Sequence, residues 1–66
     1  MSARVDLIDK SITSIESALA AITKLRQESD LVLDVNAATI GVIRSGLDVS
    51  IRSLRDIKKQ YELQGN

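Results

Sequence analysis

The sequence has no cysteine, no histidine, no proline, no phenylalanine and no tryptophan, and only one tyrosine. Without cysteine there is no disulfide and no thiolate metal site. Without histidine the commonest metal ligand and the commonest general base near neutral pH are both missing. One aromatic ring cannot build a base-stacking platform. Charge of one sign is also lacking, because nine basic residues balance nine acidic ones. A neutral chain is a weak electrostatic magnet for nucleic acid or anionic lipid. Long apolar runs are absent too. The longest uncharged stretch, Val35 to Ile43, is far too short to span a bilayer. Asp6 and Asp9 fall where a signal peptide needs an apolar core. The expectation is a soluble, cytoplasmic protein with no membrane partner. The lack of cysteine fits a reducing compartment.

What remains is a short chain rich in heptads. Its 66 residues allow one domain, 1–66, and bury too little surface to be comfortably stable alone. Small folds use disulfides, a metal or oligomerisation as a staple, and here only the last is on offer. Apolar residues recur at Val5, Ile8, Ile12, Ile15, Leu19 and Ile22 in steps of three and four, the a and d positions of a heptad. The second half supplies Ile40, Ile43, Leu47, Leu54, Ile57 and Tyr61 in the same register.

The middle, ESDLVLDVNAATIG over residues 28–41, decides the architecture. A continuous helix would be roughly 90 Å long. A short strand over Leu31–Val35 is a third reading. Arg26 at an a position, and Ser29 and Asn36 at d positions, make a polar seam unsuited to the centre of a long coiled coil. Asp34 and Asn36 are good N-cap residues, and Ser29 and Asp30 suit a helix ending in a turn. The fold expected is all-α: an antiparallel two-helix hairpin, residues 3–30 and 36–63, with a turn near 31–35 that contains neither Gly nor Pro. Pairing about that turn sets Ile8 near Leu54, Ile15 near Leu47, Leu19 near Ile43 and Ile22 near Ile40. The oligomer core is then Ile8, Ile12, Ile15, Leu19, Ile22, Ile40, Ile43, Leu47, Leu54 and Ile57. Leu7, Leu25, Val42, Val49, Ile51 and Leu63 fall off this seam and widen the apolar surface. A second hairpin would cover them in a homodimeric four-helix bundle or a higher assembly.

No nucleophile–base pair, phosphate-binding glycine loop or metal-spaced carboxylate set is present. Asp6, Asp9 and Glu16 read as an outward face. The chain is expected not to be an enzyme, with no catalytic, cofactor or metal residues. Three features remain. Asn36, Thr39, Gly46, Ser50 and Ser53 form a small, polar stripe on the second helix, with Ser11 and Ala18 on the matching flank of the first. Such a stripe serves close helix packing or lines a groove. Arg44, Arg52, Arg55, Lys58 and Lys59 form a basic run, partly neutralised by Asp48, Asp56 and Glu62 at helical spacing. Arg26, at the turn end beside Asn36, either snorkels to water or binds an anion near the start of the second helix.

In length, hairpin and heptads that continue through the turn, the chain resembles the Rop family of small plasmid proteins, whose helical hairpins dimerise into four-helix bundles. The resemblance is architectural, and no residue motif accompanies it. It implies RNA binding through an exposed face with an aromatic residue, and Tyr61 is the one aromatic residue here. The leading expectation is therefore a non-catalytic interaction protein that oligomerises and docks on another protein. A nucleic-acid-binding dimer using Arg44, Arg52, Arg55 and Lys59 is the first alternative. An oligomer binding a small phosphorylated ligand through Arg26 and the polar stripe is the second.

Overall fold

A computed structural model describes residues 3–65. Ala3–Leu31 form helix α1 and Ala37–Leu63 form helix α2, each boundary within one residue of the expected one. The longest dimension is 50 Å, far short of the roughly 90 Å of a single helix. The chain folds back on itself, and the two helices pack side by side. Among the described residues there is no strand, and no helix is long and apolar enough to cross a membrane.

The helices follow from local chemistry. No glycine or proline interrupts α1. Side-chain hydroxyls of Ser11, Thr13, Thr23 and Ser50 bond back to the carbonyls of Leu7, Asp9, Leu19 and Gly46, at 2.7–3.0 Å. This turn-back satisfies polar side chains within their own helix. Arg26–Asp30 and Asp48–Arg52 add pairs at helical spacing, 3.3 and 3.1 Å, each worth a few tenths of a kcal/mol.

The turn reverses the chain without glycine. Leu33 takes the left-handed conformation, φ 54°. The N–H of Asp34 bonds the carbonyl of Ser29 at 2.9 Å, and that of Leu33 bonds Asp30 at 3.4 Å. This is the paired closure of a Schellman motif, with leucine where glycine is usual. Helix α2 then starts through Asp34. Its carboxylate accepts the Asn36 N–H at 2.8 Å, and its carbonyl accepts the Ala37 N–H at 3.1 Å. Asn36 occupies the N-cap place but makes no side-chain cap bond, so the capping expected of both residues rests on Asp34. Ser29 is buried beneath the turn, 2% exposed. Its hydroxyl reaches the Asp34 carboxylate only at 3.5 Å, a weak contact.

The interior is thin. Ile8, Ile12 and Ile51 form its buried cluster, with Ile15, Leu19, Leu54 and Tyr61 packed partly buried against it. Ile40 is buried nearer the turn. Two expectations need correcting. The helices are shifted by about five residues from the expected layers, since Asp9–Lys58 and Thr23–Arg44 set Ile15 level with Arg52 and not Leu47. Ile51, placed off the seam, is the most buried apolar residue, 4% exposed. Helix α1 presents its a and d positions inward. Helix α2 is rotated and presents a and e: Ile40, Leu47, Ile51, Leu54 and Tyr61. Ile43 and Ile57, placed at the seam, are 47% and 40% exposed instead. The rotation exchanges Ser50 at the central d position for Ile51 at the neighbouring e position, and brings the other e residues, Arg44 and Lys58, to Thr23 and Asp9 of α1. Ile51 is thereby buried, and Ser50 is left outside with Ile43 and Ile57.

Candidate functional site

The rotation of α2 gives the hairpin two unlike flanks. On the first, side chains cross from helix to helix. Lys58 Nζ lies 2.8 Å from Asp9 Oδ1, and Arg55 Nη2 lies 3.1 Å from Glu16 Oε2. Arg44 Nε donates to the Thr23 hydroxyl at 3.0 Å. Asp9, Glu16 and Thr23 share the e column of α1, seven residues apart, and Arg44 and Lys58 share the e column of α2. In an antiparallel pair the e columns meet on one side. The bond to Asp9, and then its charge, raise the Lys58 pKa above its ordinary 10.5. Asp9 and Glu16, expected on an outward face, and Lys58, expected beside Glu62, thus meet across the hairpin instead. The signal available was charge: two acids in one e column, and a lysine in the column that an antiparallel partner sets against it.

On the other flank nothing of this kind is present among the described residues. The g positions of the two helices meet there by the same geometry. They are Ser11, Ala18 and Leu25 on α1, and Thr39, Gly46 and Ser53 on α2. All six are exposed. Beside them α2 exposes Ile43, Ser50 and Ile57, and beyond these Val42 and Val49 at 73% and 59%. A Cβ on Gly46 would meet nothing within 4 Å. Asn36, the first residue of the expected stripe, is exposed in the turn.

The basic residues of α2 share one side of the helix, but three of the five meet carboxylates, Lys58 among them. Arg52 pairs with Asp48 and Arg55 with Glu16. Lys59 is exposed. Arg26 and Arg44 do come together. They line one open depression of about 510 Å³ with Ala38, Gly41, Val42 and Ser45. Arg26 lies across Gly41 rather than against Asn36, and a Cβ at residue 41 would stand 3.0 Å from Arg26 Nε. Glycine there lets the arginine settle close to the helix backbone. Arg26 also holds Asp30. At the open end of the hairpin the Arg4 guanidinium lies 5.3 Å from the centre of the Tyr61 ring, a cation–π distance. Tyr61 is thereby half-buried against the core, not displayed as the aromatic residue of an RNA-binding face.

Among the described residues no group of three or more acidic side chains could hold a metal ion. Set against known proteins, the chain matches no protein family, no curated protein and no solved structure.

Proposed function

We propose that this chain is a non-catalytic helical interaction protein. It acts in the cytoplasm as a homo-oligomer that docks on another protein or holds an assembly together. One observation supports this above all: Val42, Ile43, Val49 and Ile57 stay exposed on one side of α2 while the helix turns its other side to α1. Apolar side chains left exposed together on one side of a helix mark association sites. Sedimentation at low micromolar concentration tests the oligomer, and mass spectrometry of material copurifying with the native protein identifies the partner. An oligomer with a stoichiometric protein companion is expected. A folded monomer that brings nothing with it would end the proposal.

A second reading follows from the depression at Arg26 and Arg44. Two guanidinium groups lining one open depression suit a phosphorylated small molecule. Equilibrium dialysis with a phosphorylated metabolite mixture would show retention, lost in Arg26→Met and Arg44→Met. Arg26 and Arg44 are each engaged within the chain, by Asp30 and Thr23, as Arg52 and Arg55 are by Asp48 and Glu16. In this reading and in the nucleic-acid one, the ligand must compete with these partners.

A further inference from the structure

We infer that the exposed side of α2 is covered by a second copy of the same chain, with the two α2 helices antiparallel and their two-fold axis at Ser50. The inference rests on the self-association proposed above and names its surface. The first argument is area. The chain exposes 4946 Å², whereas a compact monomer of 7.2 kDa exposes about 4,100 Å². The excess, about 800 Å², equals one partner's share of a standard interface.

The second argument is the order of residues along the exposed side. A two-fold interface must be complementary to itself. Ile43 and Ile57 stand seven residues either side of Ser50. An antiparallel copy sets Ile43 level with Ile57 of the partner subunit and Ser50 level with the partner's Ser50, and brings Gly46 within one residue of the level of Ser53 of the partner subunit. Small side chains at the centre let the backbones approach, and an isoleucine layer closes each end. The Ser50 hydroxyl can be buried there, since it already donates to the Gly46 carbonyl at 2.9 Å.

Helix α1 fits the same axis. The Asp9–Lys58 and Thr23–Arg44 contacts put Ile15 level with Arg52, about 3 Å along the helix from Ser50. Ile8 and Ile22 stand seven residues either side of Ile15, so one axis serves both helices. At 100° per residue, the Ile43–Ser50–Ile57 side lies about a quarter turn around α2 from the side facing α1. That is the angle between neighbouring contacts in a four-helix bundle.

The chain has no cysteine, so single cysteines report the geometry without background. Ser50→Cys is expected to form a covalent dimer under mild oxidation at least tenfold faster than Ser45→Cys, which lies on another side of α2. Ile43→Cys and Ile57→Cys should each link slowly alone and quickly when mixed. Sedimentation of the unmodified chain runs alongside, and circular dichroism checks that each variant is helical. An oligomer in which Ser45→Cys links as fast as Ser50→Cys would overturn this surface and leave self-association standing. Ile43→Cys linking alone as fast as the mixture would overturn the antiparallel arrangement. A folded monomer with no rapid Ser50→Cys linkage would overturn both the inference and the self-association beneath it.

Discussion

Along one flank of the hairpin, Asp9, Glu16 and Thr23 reach across to Lys58, Arg55 and Arg44. Along the other, the helices show glycine, alanine, serine and the half-exposed Ile43 and Ile57. The polar flank satisfies its groups within one chain and sets how the helices align. The plain flank has apolar surface that one chain does not cover. Between them lies a core in which, among the described residues, no side chain is fully withdrawn from water. The difference teaches where stability is to be sought. An exposed pair such as Glu16–Arg55 contributes at most about 1 kcal/mol, so the polar flank selects the register more than it holds the fold. The larger reserve lies in apolar surface, and much of that is on the plain flank.

The sharpest way to break the comparison is to remove what both flanks share. Ile51 sits at 4% exposure between them. Ile51→Ala should cost about 2–5 kcal/mol, enough to unfold much of a chain this small. Circular dichroism should show helicity lost or the melting temperature sharply lowered. An unchanged melt would mean that Ile51 is not in the core. Ile43→Ala asks about the plain flank alone. At dilution, where the hairpin stands by itself, the half-exposed side chain should matter little. With rising protein concentration the variant should fall progressively behind the unmodified chain in melting temperature, as mass action stabilises only the one that associates well. Parallel melting curves at every concentration would show that the flank stays bare.

Much of this was legible beforehand. Val5, Ile8, Ile12, Ile15 and Leu19 repeat so regularly that the inner side of α1 could be read directly, and the hairpin followed from polar Arg26, Ser29 and Asn36 at mid-chain. The rotation of α2 was not legible from the count of sevens. A heptad register binds residues only while the helix is continuous, and the chain leaves the helix at Leu33. Beyond it, a and d competed with a and e for the inward side. The side taken buries Ile51 and bonds Arg44 and Lys58 to α1, and it leaves Ile43 and Ile57 half-exposed. The plain flank was visible as a stripe of small residues. Its pairing with exposed isoleucines emerged only once α2 had turned. Lys58 and Arg44 each have an acidic residue four positions on, Glu62 and Asp48, which drew attention from their partners across the hairpin, whereas Asp9, Glu16 and Arg55 have no opposite charge at that spacing.

Leu33 is where the two flanks are joined, and a smaller effect is expected there. Its left-handed φ of 54° costs a leucine about 1 kcal/mol that glycine would not lose. The side chain is 89% exposed, so little packing is forfeited. Leu33→Gly should therefore raise stability by up to about 1 kcal/mol, net of the added freedom of the unfolded chain. Chemical denaturation would read this as a higher midpoint at an unchanged slope. A lower midpoint would place Leu33 in a contact that the hairpin alone does not make, which would add the turn to the covered surface.

The least effect, and the one confined to the polar flank, concerns Lys58. Its bond to Asp9 raises its pKa in the folded chain above 10.5. A raised folded-state value means that the protonated lysine favours folding. That contribution is fully present below the ordinary pKa of the unfolded chain and is lost as pH climbs through the raised one. The melting temperature should thus decline on the alkaline side of pH 10.5, and the decline should be smaller in Lys58→Met. Asp9→Asn should remove the same part of the alkaline slope, since it takes away the charge that holds the proton. The double variant should behave like either single one, because both act on one contact. If Lys58→Met and Asp9→Asn instead add independently, the two groups do not depend on each other. The polar flank would then lose its claim to set how α1 and α2 align, while the plain flank would keep its own.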